Sequence, residues 1–171
     1  MSDDDFRDFL TALSAARVRY LVIGAYALAS HGLVRATGDL DTWIEPTLKN
    51  AERLNVAIRE FAAVPVDYFG VSVEALTNGG VGFYMGVEPD RIDIHTAIAG
   101  LTFARAWNGK MAAKTLGIPT EVLGIAELIA AKRAAAPLRV PGSSKALQDV
   151  ADLAWLETEQ ARLARAPDKR R

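Results

Sequence analysis

The sequence contains no cysteine. Disulfide bonds and thiolate catalysis are therefore excluded, and the usual zinc sites, which depend on thiolate ligands, are disfavoured. Only two histidines are present, which also excludes a histidine-rich metal site. Metal binding and acid–base chemistry consequently fall mainly to the aspartates and glutamates, which number 21 together.

The chain has little net charge and no long apolar run. Its formal charge of −1 argues against broad, charge-driven binding to nucleic acid, although it leaves room for a local basic patch. No apolar run approaches the length of a membrane span, and the first residues are acidic where a signal peptide would be basic. We expect a cytoplasmic protein with no membrane partner.

Length and pattern predict one mixed α/β domain over 1–171, with a core at 18–123 and a helical part at 124–165. We expect a small mixed sheet flanked by helices. Helices are predicted at 3–16, 25–31, 48–61, 102–107, 125–135 and 144–165. Strands are predicted at 18–23, 39–45, 81–87, 91–96, 110–116 and 118–123, with a turn at 88–90 and a polar tail at 167–171.

Two aspartates in the second strand are the main chemical signal. Asp39 and Asp41 lie in Asp-Leu-Asp-Thr-Trp-Ile, and because a strand has a period of two, both carboxylates project from one face, roughly 6.5–7 Å apart. Carboxylates on a rigid face suit Mg²⁺, which is usually held together with substrate phosphates. The alternative is a solvated strand end. The strand context favours the metal interpretation, because acidic residues are poor strand formers.

Asp93 is the natural third carboxylate. In Arg91-Ile-Asp93-Ile-His95 it points away from the two isoleucines, so it would join the first pair if its strand were the neighbouring one. Three carboxylates can hold two Mg²⁺ (or Mn²⁺) ions for phosphoryl chemistry. A surface aspartate is the alternative. His95 shares the face of Asp93, so a role as a metal ligand is conceivable.

Several other residues are candidates for phosphate contacts. The Gly24-Ala25 turn leads from a strand into a helix, where backbone N–H groups can approach a phosphate. The alternative is a turn that requires glycine only for its backbone conformation. Arg35 and Thr37 precede the acidic pair and would contact phosphate or fix the loop. Lys132, near the end of a helix, would bind a nucleotide or only pair with the helix dipole.

Two further groups are assigned structural roles. His31, next to a glycine, is typical of the end of a helix. Asp149 and Asp152 are predicted to form a solvated helix face, with Lys145 one turn upstream.

These residues, in this order, resemble a known superfamily. A hydrophobic strand, Gly24-Ala25, the Asp39/Asp41 pair and the later Asp93 are similar to the DNA polymerase beta-like nucleotidyltransferases. The sequence looks closer still to the small bacterial abortive-infection (AbiEii-type) nucleotidyltransferase toxins, over roughly residues 18–156. That closer resemblance lies in His31-Gly-x-x-Arg35-x-Thr37-x-Asp39-x-Asp41, Arg91-Ile-Asp93, Gly124-x-x-x-Leu-Ile-x-x-Lys132-Arg133 and Asp149-Val-Ala-Asp152-Leu.

The resemblance implies a Mg²⁺- or Mn²⁺-dependent enzyme that moves a nucleoside monophosphate from an NTP to a hydroxyl acceptor and releases pyrophosphate. Asp39 and Asp41 would bind the metals, and Asp93 would bind metal and help to activate the acceptor hydroxyl. Gly24 would face the triphosphate, and Lys132 would contact the nucleotide. The acceptor would be a small molecule, a protein or an RNA end, and an antitoxin protein is a possible partner.

The sequence departs from the superfamily at two places. The usual Gly-Ser is Gly24-Ala25 here, which removes a hydroxyl that can bind phosphate, and a loop at 136–144 interrupts the connection to the last helix. An alternative is therefore a catalytically weak relative that binds a nucleotide or a partner protein. A metal-binding hydrolase ranks lower, because a general base other than the aspartates is hard to find.

Overall fold

The computed structural model describes residues 1–87 and 90–165. Residues 88 and 89 of the predicted turn, and the whole of the predicted tail, lie outside the described residues. Over the described part of the chain, six strands form one mixed sheet flanked by helices, which confirms the predicted fold class.

The strands and helices follow the predicted positions to within one or two residues at most ends. The strands are β1 (Tyr20–Val22), β2 (Asp39–Ile44), β3 (Gly82–Val87), β4 (Asp90–His95), β5 (Met111–Thr115) and β6 (Ile118–Val122). The helices are α1 (Asp3–Ala15), α2 (Gly24–Ser30), α3 (Leu48–Ala62), α4 (Phe103–Asn108), α5 (Ile125–Ala135) and α6 (Ser144–Arg165). Short 3₁₀ helices that were not predicted occupy Val66–Phe69, Ala75–Thr77 and Ala136–Leu138.

The strand order is β3-β4-β2-β1-β6-β5. Two antiparallel hairpins, β3/β4 and β5/β6, form the outer pairs. Between them, β1 runs antiparallel to β2 and parallel to β6, while β2 runs parallel to β4. The parallel β2–β4 contact is decisive for the site, because it places the two strands that carry the predicted acidic residues side by side.

The core lies where the central strands meet the amphipathic helices. Leu21 on β1 and Trp43 on β2 are fully buried, and both belong to one continuous apolar cluster. α1 begins with a capping box between Ser2 and Asp5, and its Phe9 packs edge-to-face on Phe61, at the end of α3, with ring centroids 5.4 Å apart. The helical spacing of apolar residues therefore produced the expected buried stripe.

α6 joins this core through its apolar face. Leu156 is fully buried, and Trp155 lies over Gly32 at the end of α2. Among the described residues, no helix is long and apolar enough to cross a membrane.

Candidate active site

A cavity of about 1080 Å³ opens beside β2 and β4. Ligand sites commonly measure about 300–1,000 Å³, so this one has room for a sizeable substrate. Its lining includes all but one of the residues that the sequence predicted to be catalytic or nucleotide-binding: Gly24, Arg35, Thr37, Asp39, Asp41, Asp93 and Lys132. The exception is Ala25, which is buried in the first turn of α2 and does not belong to the lining.

The parallel strands bring Asp41 and Asp93 together, because the register pairs these two residues directly. His95 follows two positions later on the same face of β4. One ligand atom from each of these three side chains lies within 4.8 Å of the others, and His95 Nε2 is 3.4 Å from Asp41 Oδ1. A metal ion could therefore contact all three.

Asp39 lines the same cavity but stands apart from this group among the described residues. The register places Asp39 opposite Arg91, two residues along the strands from the Asp41–Asp93 pair, which is a step of about 7 Å. The hydroxyl of Thr37 donates a hydrogen bond to the Asp39 carboxylate. Among the described residues, the ligand atoms that lie within 4.8 Å of one another belong to Asp41, Asp93 and His95, and the expected metal role of Asp39 stays a prediction.

Gly24 lies against the Asp41 carboxylate. Its φ of +61° is a conformation that glycine adopts readily, and a Cβ atom at this position would stand 2.1 Å from Asp41 Oδ2. The strand-to-helix turn thus requires glycine for two independent reasons. Neither reason involves a phosphate, so a phosphate contact from Gly24 remains a prediction.

Burial raises the pKa of Asp93 above the ordinary aspartate value, and the negative charge of Asp41 adds to the rise. Arg91 opposes both effects, with its Nε 2.9 Å from Asp93 Oδ1. The Arg91 guanidinium also lies over the Tyr84 ring, 5.2 Å from the ring centroid. Asp93 is therefore a carboxylate with a raised affinity for protons, held in place by a neighbouring cation.

A charged network forms the opposite wall of the cavity. Lys132 Nζ donates hydrogen bonds to Asp149 Oδ1 and Asp152 Oδ2, each 2.8 Å long. Arg139 Nε reaches Asp149 Oδ2 at 2.8 Å, and Arg35 Nε lies 3.7 Å from Asp152 Oδ1. The network links the loop before β2 to α5 and α6, and we call these five residues the wall network.

The prediction that Asp149 and Asp152 form a solvated helix face is wrong. Both aspartates are buried, with 8% and 3% of their surface exposed. They lie on the side of α6 that packs against α5, and their partners come from distant positions in the sequence rather than from Lys145. The three-residue spacing places both on one helix face, but it does not say which face is buried.

The fold is similar to that of solved nucleotidyltransferases. The solution structure of the antibiotic-resistance factor ANT(2'')-Ia is 14% identical, covers 95% of this chain and 90% of that chain, and gives a TM-score of 0.56. A crystal structure of ANT(2'')-Ia in complex with adenylyl-2''-tobramycin is 15% identical, covers 92% and 93%, and gives a TM-score of 0.50.

An antigenic nucleotidyltransferase-like protein from Paracoccidioides brasiliensis is also similar, at 14% identity and a TM-score of 0.48. The match covers 93% of this chain and 86% of that protein. No protein-family model matches the sequence, and no curated protein matches it significantly. The similarity to ANT(2'')-Ia establishes a nucleotidyltransferase-like fold, and at these identities it establishes the fold alone.

Proposed function

We propose that this protein is a divalent-metal-dependent nucleotidyltransferase. It would transfer a nucleoside monophosphate from an NTP to a hydroxyl acceptor and release pyrophosphate. The observation that carries the proposal is the pairing of Asp41 with Asp93 on adjacent parallel strands, at a large cavity, in a nucleotidyltransferase-like fold. Since NTPs are abundant in the cytoplasm, we place its activity there.

The side chains at the cavity fit a divalent metal. Asp41 and Asp93 supply carboxylate oxygens, which suit Mg²⁺ or Mn²⁺, and Asp39 lines the same cavity, where it could serve a second ion. The Asp41 carboxylate packs directly against the backbone of Gly24, where even a Cβ atom would clash with it, so Gly24 limits the positions that this carboxylate can take. When bound, the metal would neutralise phosphate charge and polarise the reacting oxygens.

Asp93 is the candidate base. It would accept the proton of the acceptor hydroxyl, while the hydroxyl oxygen bonds to the α-phosphorus and the bond from that phosphorus to the bridging oxygen breaks. Pyrophosphate then leaves with that oxygen. Asp93 is suited to this role by position, because it lines the cavity beside Asp41 and Arg91 holds its carboxylate in place.

The cationic side chains of the cavity would hold the nucleotide. Arg35 lines the cavity with a side chain that is one quarter exposed, so the exposed part of its guanidinium could contact a phosphate oxygen while Nε faces Asp152. An ammonium has three donors, and Lys132 gives two of them to Asp149 and Asp152. The third can contact the nucleotide. Thr37 would act through Asp39, whose carboxylate it already contacts.

Pyrophosphate release tests this proposal. Each NTP is incubated with Mg²⁺ or Mn²⁺ and a pool of acceptor hydroxyls, and we expect release with at least one NTP. Asp41→Asn should reduce it by about 100-fold or more, since a ligand of the reacting centre is lost. Asp67→Asn is the matched control, because Asp67 is exposed and outside the cavity lining. Equal loss in both variants, or full activity in Asp41→Asn, would contradict the proposal.

The second candidate is a catalytically weak relative that binds a nucleotide or a partner protein. Ala25 favours it, because the serine hydroxyl expected from the family resemblance is absent. The two candidates differ in the behaviour of Ala25→Ser. If the protein is an active transferase, the wild type already releases pyrophosphate. If it is the weak relative, the wild type binds NTP in calorimetry but releases no pyrophosphate, and only Ala25→Ser becomes active.

The resemblance to the AbiEii-type group supports a more specific role as a toxin controlled by an antitoxin protein. The acceptor would then be a small molecule, a protein hydroxyl or an RNA end. Induced expression of the wild type in bacteria should arrest growth, and Asp41→Asn should not. Normal growth with well-expressed wild type would rule out the toxin role and leave the transferase proposal intact.

A further inference from the structure

His95 gives the candidate metal site a nitrogen donor. Sequence reasoning assigned the metal to three aspartates, but the three ligand atoms that meet most closely come from Asp41, Asp93 and His95. Because the donor set decides which ions a site prefers, the histidine bears directly on the identity of the metal.

His95 lies on β4 between two neighbouring strands, β3 and β2. His95 pairs with Gly82 of β3, and a Cβ atom on Gly82 would stand 3.9 Å from His95 Nδ1. Nδ1 therefore faces β3, and Nε2 faces Asp41 on the other neighbouring strand. Nε2 is the nitrogen presented to the carboxylates.

The separation of Nε2 from Asp41 suits two ligands of one ion. At 3.4 Å it is longer than a normal N–H···O hydrogen bond, which measures about 2.7–3.2 Å. Two donors that each lie about 2.1 Å from a metal at ordinary coordination angles are roughly 3.0–3.5 Å apart. The observed distance falls in this interval.

Arg91 does not prevent coordination by Asp93. Its Nε lies 2.9 Å from Oδ1 and 3.1 Å from Oδ2 of that carboxylate. A carboxylate has about four lone-pair positions, so Asp93 can keep the guanidinium and still present a lone pair to an ion. Arg91 would then hold Asp93 in the orientation that the metal uses.

We propose that Asp41, Asp93 and His95 form a mixed carboxylate–imidazole site that selects Mn²⁺ or Co²⁺ over Mg²⁺. Mg²⁺ takes oxygen ligands almost exclusively, whereas imidazole suits the first-row transition metals. The inference deepens the proposed function, on which it rests for the use of the site, but the metal preference itself is a property of the protein without nucleotide.

Calorimetric titration of the metal-free protein with MnCl₂, CoCl₂ and MgCl₂, in the absence of nucleotide, tests the preference. We expect Mn²⁺ and Co²⁺ to bind at least about tenfold more tightly than Mg²⁺. His95→Asp keeps three ligands but makes all of them oxygens, so the Mn²⁺/Mg²⁺ affinity ratio should fall by about fivefold or more. An unchanged ratio in His95→Asp would overturn the inference.

His31→Gln is the matched control for loss of a histidine. His31 Nε2 contacts the carbonyl of Leu123 at 2.8 Å, and His31 is not part of the metal-ligand group, so the ratio should remain that of the wild type. A fall in this variant as large as in His95→Asp would count against the proposal.

A measurement on the wild type avoids any effect of substitutions on folding. Pulsed electron paramagnetic resonance of the Mn²⁺-loaded protein should show ¹⁴N coupling from one imidazole, and its absence would overturn the inference. Failure of nucleotidyl transfer, with the coupling present, would instead contradict only the proposed function.

Discussion

At the scale of single residues, the geometry of the site depends most directly on Gly24. Its backbone has a positive φ, and the space where a side chain would begin is filled by the Asp41 carboxylate. Gly24, which the sequence assigns to a phosphate-binding turn, is thus also required for the placement of the Asp41 side chain.

Gly24→Ala is expected to abolish most activity. The new methyl group would displace the Asp41 carboxylate, and a displacement of about 1 Å at a reacting centre can cost about 100-fold in rate. The positive φ should also cost about 1–2 kcal/mol of stability. Pyrophosphate release and thermal unfolding measure the two effects separately.

Gly79→Ala provides the matched control for this change. Gly79 has a similar φ of +65°, but nothing lies within 4 Å of the space where its Cβ would stand. It should lose comparable stability and keep its activity. If the two variants lost activity to the same extent, backbone strain rather than the contact with Asp41 would be the cause.

The sequence predicts only in part which of the candidate site residues lie close together. The two-residue period of a strand predicts that Asp41 projects into the site, and the same period places His95 with Asp93. That Asp93 lies opposite Asp41 rather than opposite Asp39 depends on the register between β2 and β4. Register is set by packing between distant segments, so no local pattern reveals it.

At the scale of secondary-structure elements, the wall network ties α5 and α6 to the cavity. Lys132 on α5 contacts two aspartates of α6, and Arg139 from the connecting loop reaches one of them. The insertion at 136–144, which departs from the resemblance, thus contributes a cation to the network. A buried set of charges with paired partners fixes how α6 sits against the cavity.

Asp149→Asn should destabilise the protein at neutral pH by about 1.5–3 kcal/mol, the usual value for hydrogen bonds to charged groups. Burial alone would raise the pKa of Asp149, but hydrogen bonds from Lys132 and Arg139 outweigh it and lower the pKa below the ordinary value. The stabilisation is therefore present above the ordinary aspartate pKa of about 3.9 and is lost as the pH falls through the lowered value.

Urea unfolding of the wild type and Asp149→Asn from pH 7 down to about pH 3 checks this expectation. The stability difference between them should shrink towards the acid end. Glu157→Gln is the control, because Glu157 pairs with the largely exposed Arg133 and should have little effect at any pH. A difference for Asp149→Asn that stayed constant across the range would contradict the assigned role.

The elements themselves were largely predictable. α5 and α6 occupy the predicted residues, because apolar periodicity and flanking turn residues mark long helices well. The 3₁₀ helices at Val66–Phe69 and Ala75–Thr77 were missed, since three or four residues are too few to show a period. Burial of Asp149 and Asp152 was missed because their partners are distant in sequence.

At the scale of the whole molecule, the mixed sheet was predicted but its strand order was not. Local patterns identify strands, whereas the parallel contacts of β1 with β6 and of β2 with β4 join segments far apart in the chain. Sequence motifs therefore picked out residues that line one cavity, and the sheet topology brings them together there.

The fate of labelled phosphorus tests the central claim most directly. With a responsive NTP and acceptor, label in the α-phosphate should move to the acceptor and label in the γ-phosphate should be recovered in pyrophosphate, both depending on Asp41. This result follows if the α-phosphorus is the atom attacked. Recovery of the γ-label as inorganic phosphate, with the α-label left on a nucleoside diphosphate, would show hydrolysis instead and contradict the account.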